Sequence, residues 1–396
     1  MVASFACDKN SENLKYTLFF TFFVFAMLTN VIGAVTNILI KEYGLSLGEA
    51  GLINLSFFAA YGLISLPAGL LAHRYGNKPV FALGILLMTA GALFFGLVKT
   101  FTLLLPMLLI AGIGVTFIQV AANPLAQYTG PKKDYARNLN IIHSLFGFGS
   151  LIAPIIVIKM VSSGMSWRYF YYLLVALSLI LLYSALKIKV PAHIRDGFSA
   201  KSIISHFKNT SVITSFIALF FYVGIEAGLA VWLITYLETI KGIDPSTGVY
   251  FLSLFWLLLA VGRLGGSHLL KEHCPKTIIT TFTLLGAISL ALGLYGSAAM
   301  SMVFLPLIGL FYSVMFPTIY SVAIENEPHA HSVISGILFT AVIGGAIIPY
   351  LIGMAGDTYG LTAGLSMMFL GFLIIFLKGL SIKSACVDID ECVEEI

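Results

Sequence analysis

Twelve apolar stretches, each long enough to cross a bilayer, fill this chain almost from end to end. A hydrocarbon core about 30 Å thick takes roughly 20 apolar residues per helix. Stretches of that length begin near Lys15, Ser46, Pro79, Phe101, Asn138, Trp167, Thr210, Thr247, Lys276, Ala299, Ser332 and Leu361. Inside a bilayer each backbone N–H and C=O must find a partner within the protein, so runs of this length form helices. Only 10% of the 396 residues are charged, where a soluble protein carries about 25%. The expected fold is an all-α polytopic membrane protein of twelve transmembrane helices, with no soluble domain left over.

The few charges set the orientation. Residues 1–14 lack the short apolar core and small-residue cleavage site of a signal peptide, so the first stretch is expected to be retained. With the N-terminus inside, all but five of the 22 Lys and Arg lie on the cytoplasmic side or at its edge. The exceptions are Lys41, Lys99, Lys159, Arg168 and Lys241. Basic loops stay on the cytoplasmic face, which predicts a multi-pass protein of the cell inner (plasma) membrane with both termini cytoplasmic. The net charge of +4 then reports orientation and implies no nucleic-acid partner. Cys7, Cys274, Cys386 and Cys392 all fall on the side where thiols stay reduced. Their spacing matches no metal or redox motif.

The longest polar interval, residues 187–209, divides the stretches six from six. The predicted organisation is a six-helix bundle over 1–186, a cytoplasmic linker over 187–209, a second bundle over 210–383 and an acidic cytoplasmic tail over 384–396. The halves resemble each other at a nearly constant offset. Gly149 and Pro154 of the fifth stretch recur as Gly344 and Pro349 of the eleventh, and Asn123-Pro124 is matched by Phe316-Pro317. Repeated bundles of this kind place a substrate site near the midplane between pseudo-symmetric halves. Pro124 and Pro317 are expected to interrupt their helices, each lacking an N–H donor. The paired glycines are expected to allow close helix approach.

The loop at 69–78, GLLAHRYGNK, resembles the motif GxLADRxGRK between helices 2 and 3 of the major facilitator superfamily, with His73 in place of the aspartate. A degenerate copy lies at 266–276. The resemblance implies the major facilitator fold, alternating access, and gating contacts at His73 and Arg74. The segments QVAANP (119–124), YVGIE (222–226), VGR (261–263) and FPTIY (316–320) are similar to the fucose–proton symporter family, which includes fucose and glucose/galactose permeases. That family uses carboxylates in its first and fourth spans for proton coupling and sugar binding. Here Gly33 and Gln119 stand at those positions, whereas Asn30 matches a family asparagine. His143 corresponds to a family glutamine in the sugar cavity, and Glu226 replaces another glutamine.

Against the apolar background the polar residues inside spans stand out. Glu226 is the one carboxylate well inside a span. A charge there is expensive, so it marks function by default. It can carry the coupled proton or accept substrate hydroxyls. His143, away from a membrane edge, can do either as well. Gln119, Asn123, Asn140 and Asn30 supply amides that both donate and accept, as polyol recognition requires. Gln119 and Asn123 lie four apart on one helix face, and Asn140 lies three before His143. Tyr222, one turn before Glu226, offers an aromatic face to a sugar ring. Arg263, near the inner end of its span, reads as a gate or interface contact. Interhelical bonding is the competing account of each polar residue.

No metal-ligand cluster, phosphate-cradling loop or nucleophile–base set appears, so no enzyme activity, metal or cofactor is expected. The expected function is import of a small neutral polyhydroxylated solute, a hexose, by a monomeric secondary transporter coupled to protons through Glu226 with His143. The rivals are a sodium-coupled or uncoupled sugar facilitator, a drug or metabolite exporter, and a non-transporting membrane sensor.

Overall fold

The computed structural model describes residues 9–126, 128–129, 135–190, 209–325 and 337–382. Among them are twelve helices long and apolar enough to cross a membrane: Asn10–Tyr43, Leu47–Ala72, Asn77–Leu97, Phe101–Ala126, Leu145–Ser162 and Arg168–Lys187, then Thr210–Thr239, Pro245–Gly265, Pro275–Tyr295, Ala298–Tyr320, Ile337–Tyr359 and Leu361–Ser381. They are numbered here as spans 1 to 12. The all-α architecture of two six-helix halves is therefore observed. Loops turn where the local chemistry predicts. Ser46 and Glu49 form a reciprocal capping box at the start of span 2. The Asn209 side chain caps span 7 through the N–H groups of Ser211 and Val212. Gly44 and Gly360 turn the chain with positive φ.

Span 1 is longer than expected. It consists of two helices, Lys9–Asn30 and Ile32–Tyr43, that meet at Val31. Span 10 is also divided, into Ala298–Tyr312 and Met315–Glu325. Its second piece carries Pro317 in the first turn, where a missing N–H costs no intrahelical bond. Pro124 does not interrupt its helix, which continues to Ala126. Lying two residues from the end, it removes one bond and lets the last turn finish.

Pro349 shows how the bundle absorbs a lost donor. Without an N–H at 349, the Gly345 carbonyl has no partner in its own helix. The Asn54 side-chain amide of span 2 donates to it from the other half. The two halves also meet where Gly33 of span 1 crosses span 7: a Cβ at 33 would collide with the Ala230 carbonyl. A carboxylate at this position could not fit the packing seen here.

Further bonds between the halves crowd toward one end. The Asn37 amide donates to a Glu238 carboxylate oxygen at 2.9 Å, and Lys41 pairs with the same carboxylate. Asp357 of span 11 accepts the N–H groups of Leu47 and Gly48 at 2.7 and 2.6 Å, capping the first turn of span 2 across the interface. Together with the Asn54–Gly345 bond, these contacts tie span 1 to span 7 and span 2 to span 11. Span 4 packs on spans 2 and 3, and the second piece of span 10 packs on spans 7 and 9. One correction concerns sulfur: Cys274, expected as a free thiol, is disulfide-bonded. The other three cysteines, the linker from 191 to 208 and the tail from 383 lie outside the described residues.

Candidate functional site

Polar side chains gather at mid-span in both halves, but differently. In the first half, Asn30 sits where span 1 breaks and is only 7% exposed. Its amide donates to the Ser150 hydroxyl at 2.6 Å, and that hydroxyl donates to the Phe146 carbonyl in span 5. The Gln119 amide of span 4, partly exposed, donates to the Tyr61 hydroxyl of span 2 at 2.8 Å. Tyr61 stacks on Phe58 with ring centroids 5.6 Å apart, and Phe58 in turn lies over Gly345 of span 11. A continuous path thus runs from Gln119 to the second half.

In the second half the site is charged. Glu226 of span 7 faces Arg263 of span 8, with Oε1 and Nη2 3.8 Å apart. Helical side chains tilt toward the N-terminus of their helix. Spans 7 and 8 are consecutive, so they run antiparallel, and the two groups reach toward each other from opposite directions. Their side chains are 13% and 27% exposed. Tyr222, one turn before Glu226, is fully buried, and its hydroxyl lies against both charges without reaching hydrogen-bond geometry. Its ring stacks on Tyr312 of span 10, centroids 4.9 Å apart and planes within 13°, and tilts against Phe316 at 5.8 Å. Phe316 stacks on Tyr320 at 6.1 Å. The result is an aromatic column behind a charge pair.

The structure therefore brings Tyr222, Glu226 and Arg263 together. Arg263, expected as a gate or interface contact, stands beside Glu226 as its counter-charge. Arg74 is exposed at the end of span 2, over the Tyr75 ring. The side chains of His73, Asn123, Asn140 and His143 lie outside the described ones, so their placement within the site rests on sequence alone. Tyr61, Ser150 and Tyr312 were not singled out by sequence, being one Tyr or Ser among many. Lys378 was passed over because it lies near the end of span 12. It is only 6% exposed, and its ammonium donates to the Thr214 hydroxyl at 2.9 Å. Among the described residues no group of three or more His, Cys, Asp and Glu could hold a metal.

Comparison with known proteins agrees with this architecture. The profile of the Major Facilitator Superfamily matches residues 17–349. A glucose/galactose transporter of Brucella abortus is 28% identical over 392 residues, covering 94% of this chain and 95% of that protein. The L-fucose-proton symporter of Escherichia coli is 24% identical over 375 residues, 86% of each. A crystal structure of that symporter superposes with a TM-score of 0.69 over 92% of this chain and 97% of the other. A bacterial homologue of the human lysosomal transporter Spinster, in an inward-facing and unoccupied conformation, superposes with a TM-score of 0.76 at 16% identity, covering 94% and 98%. Twelve spans in two halves and a profile that matches most of the chain lead to one assignment: this chain belongs to the major facilitator superfamily of membrane transporters.

Proposed function

We propose that the protein imports a small neutral polyhydroxylated solute, a hexose, by alternating access, and that Glu226 carries the coupled proton. The observation that carries this reading is the partly exposed Glu226–Arg263 pair inside the apolar spans of the second half. The names of the two relatives support a sugar as cargo and a proton as coupling ion. The residues 1–186 and 210–383 would be the rocking bodies, joined by the linker over 187–209.

The coupling logic follows from charge. An ionised Glu226 neutralises Arg263 inside the low-dielectric bundle. When Glu226 takes up a proton, Arg263 loses its partner and the balance between the two conformations changes. His143 would assist the transfer, and Asn30, Gln119, Asn123 and Asn140 would bind hydroxyls from the first half. Glu226→Gln should abolish concentrative uptake in proteoliposomes while counterflow exchange persists at saturating substrate. Concentrative uptake that survives the substitution would remove Glu226 from the coupling role. A second reading, an uncoupled or sodium-coupled facilitator, is favoured by Gly33 and Gln119 at the family's carboxylate positions. It predicts uptake that is insensitive to external pH.

A further inference from the structure

Resting on the sugar-transport reading above, the geometry points to a more specific role for the charge pair: Glu226 and Arg263 together form a clamp for two adjacent hydroxyls of the substrate. A free carboxylate and guanidinium close to hydrogen-bond contact when nothing intervenes, at about 2.7–2.9 Å. Here they stand 3.8 Å apart, with both groups partly open. Each keeps its own hydrogen-bonding capacity. The carboxylate only accepts and the guanidinium only donates. A hydroxyl does both, so one hydroxyl can donate to Glu226 while its neighbour on the ring accepts from Arg263. The hydroxyl of Tyr222, buried against both charges and without a hydrogen-bond partner, is placed to complete the contact. The Tyr222–Tyr312 stack and Phe316 stand behind it as an apolar wall.

The pair also selects against other cargo. An anionic ligand drawn to Arg263 meets the Glu226 carboxylate, and a cationic ligand drawn to Glu226 meets the guanidinium. An apolar ligand would desolvate both charges and satisfy neither. A neutral group that donates and accepts from adjacent positions satisfies the two together, whereas a ligand of one net charge does not, which makes the clamp a specificity device built partly on repulsion.

The test is equilibrium exchange in proteoliposomes without ion gradients, using D-glucose, D-galactose and their monodeoxy analogues. In the wild type, removing either hydroxyl of one adjacent pair should weaken apparent affinity at least about tenfold, the loss of a charge-assisted hydrogen bond. In Glu226→Leu the penalty for one of the two should fall to about twofold or less, and in Arg263→Leu the penalty for the other. The double variant, which leaves no unpaired charge to impair folding, should be indifferent to both hydroxyls. Folded variants that keep the wild-type pattern of penalties would overturn the clamp and leave sugar transport standing. A wild type that exchanges none of the hexoses would overturn the sugar reading and the clamp with it.

Discussion

The two halves solve the same problem with different chemistry. Among the described residues the first half carries neutral amides that each donate to a hydroxyl: Asn30 to Ser150 and Gln119 to Tyr61. The second carries opposite charges held 3.8 Å apart and a buried tyrosine hydroxyl beside them that has no partner. An amide with one bond made still has donors and acceptors to offer, whereas a charge pair held apart offers a full acceptor beside a full donor. The difference is more instructive because the relatives' family places its carboxylates in the first half. Here that half carries Gly33 and Gln119, and the acid stands opposite, on span 7. Gly33 shows why a simple reversal would fail, since a side chain there would collide with the backbone of span 7.

The largest effect should come from unbalancing the charged half. Arg263→Ala leaves Glu226 uncompensated in the bundle, and removing one partner of a buried pair costs about 3–5 kcal/mol. The partial exposure of both side chains puts this site at or below the lower figure. Thermal unfolding of the purified protein in detergent measures the loss. Adding Glu226→Gln should restore most of it, and if the double variant is no more stable than Arg263→Ala, the pair is not electrostatically coupled.

The next effect concerns the place where the halves touch. Gly33→Ala puts a methyl group against the Ala230 carbonyl, and overpacking of this kind costs about 1–3 kcal/mol. The cost falls only on the conformation in which spans 1 and 7 approach so closely. Spin labels at Lys41 and Glu238 should report a wider mean separation in the variant. An unchanged distance distribution would mean that the spans can slide apart without opening.

The neutral half should respond least. Gln119→Ala removes one hydrogen bond from the buried Tyr61 hydroxyl, worth about 1 kcal/mol. Its effect on unfolding temperature should be well below that of Arg263→Ala. A comparable loss would show that the neutral network carries as much of the midplane energetics as the charge pair.

How much of this was readable without coordinates differs from residue to residue. Glu226 was legible because a carboxylate in an apolar helix is rare and expensive, so the background itself identifies it. Arg263 was legible as a residue, but its pairing with Glu226 was not. Its position near the end of a span suggested a gate, and nothing in a linear pattern says that its long side chain turns back toward the midplane. The expected break at Pro124 was absent because its position in the helix, not the residue type, decides what a proline costs. Asn54 was overlooked because its value lies in a vacancy created by Pro349, nearly 300 residues away in sequence.

The sequence by itself determined the class of molecule. Length and apolarity of twelve stretches admit one architecture in a medium that offers the backbone no hydrogen bonds, and the repeat pairs imply two halves. What only the tertiary structure decided is which side chains face each other. That choice depends on the rotation and crossing of helices about their axes, where a shift of one residue turns a side chain by about 100°, the turn set by 3.6 residues per helical turn. Packing fixed that rotation through glycine contacts and orphaned carbonyls, and so turned an isolated acid and a presumed gate into one charged site.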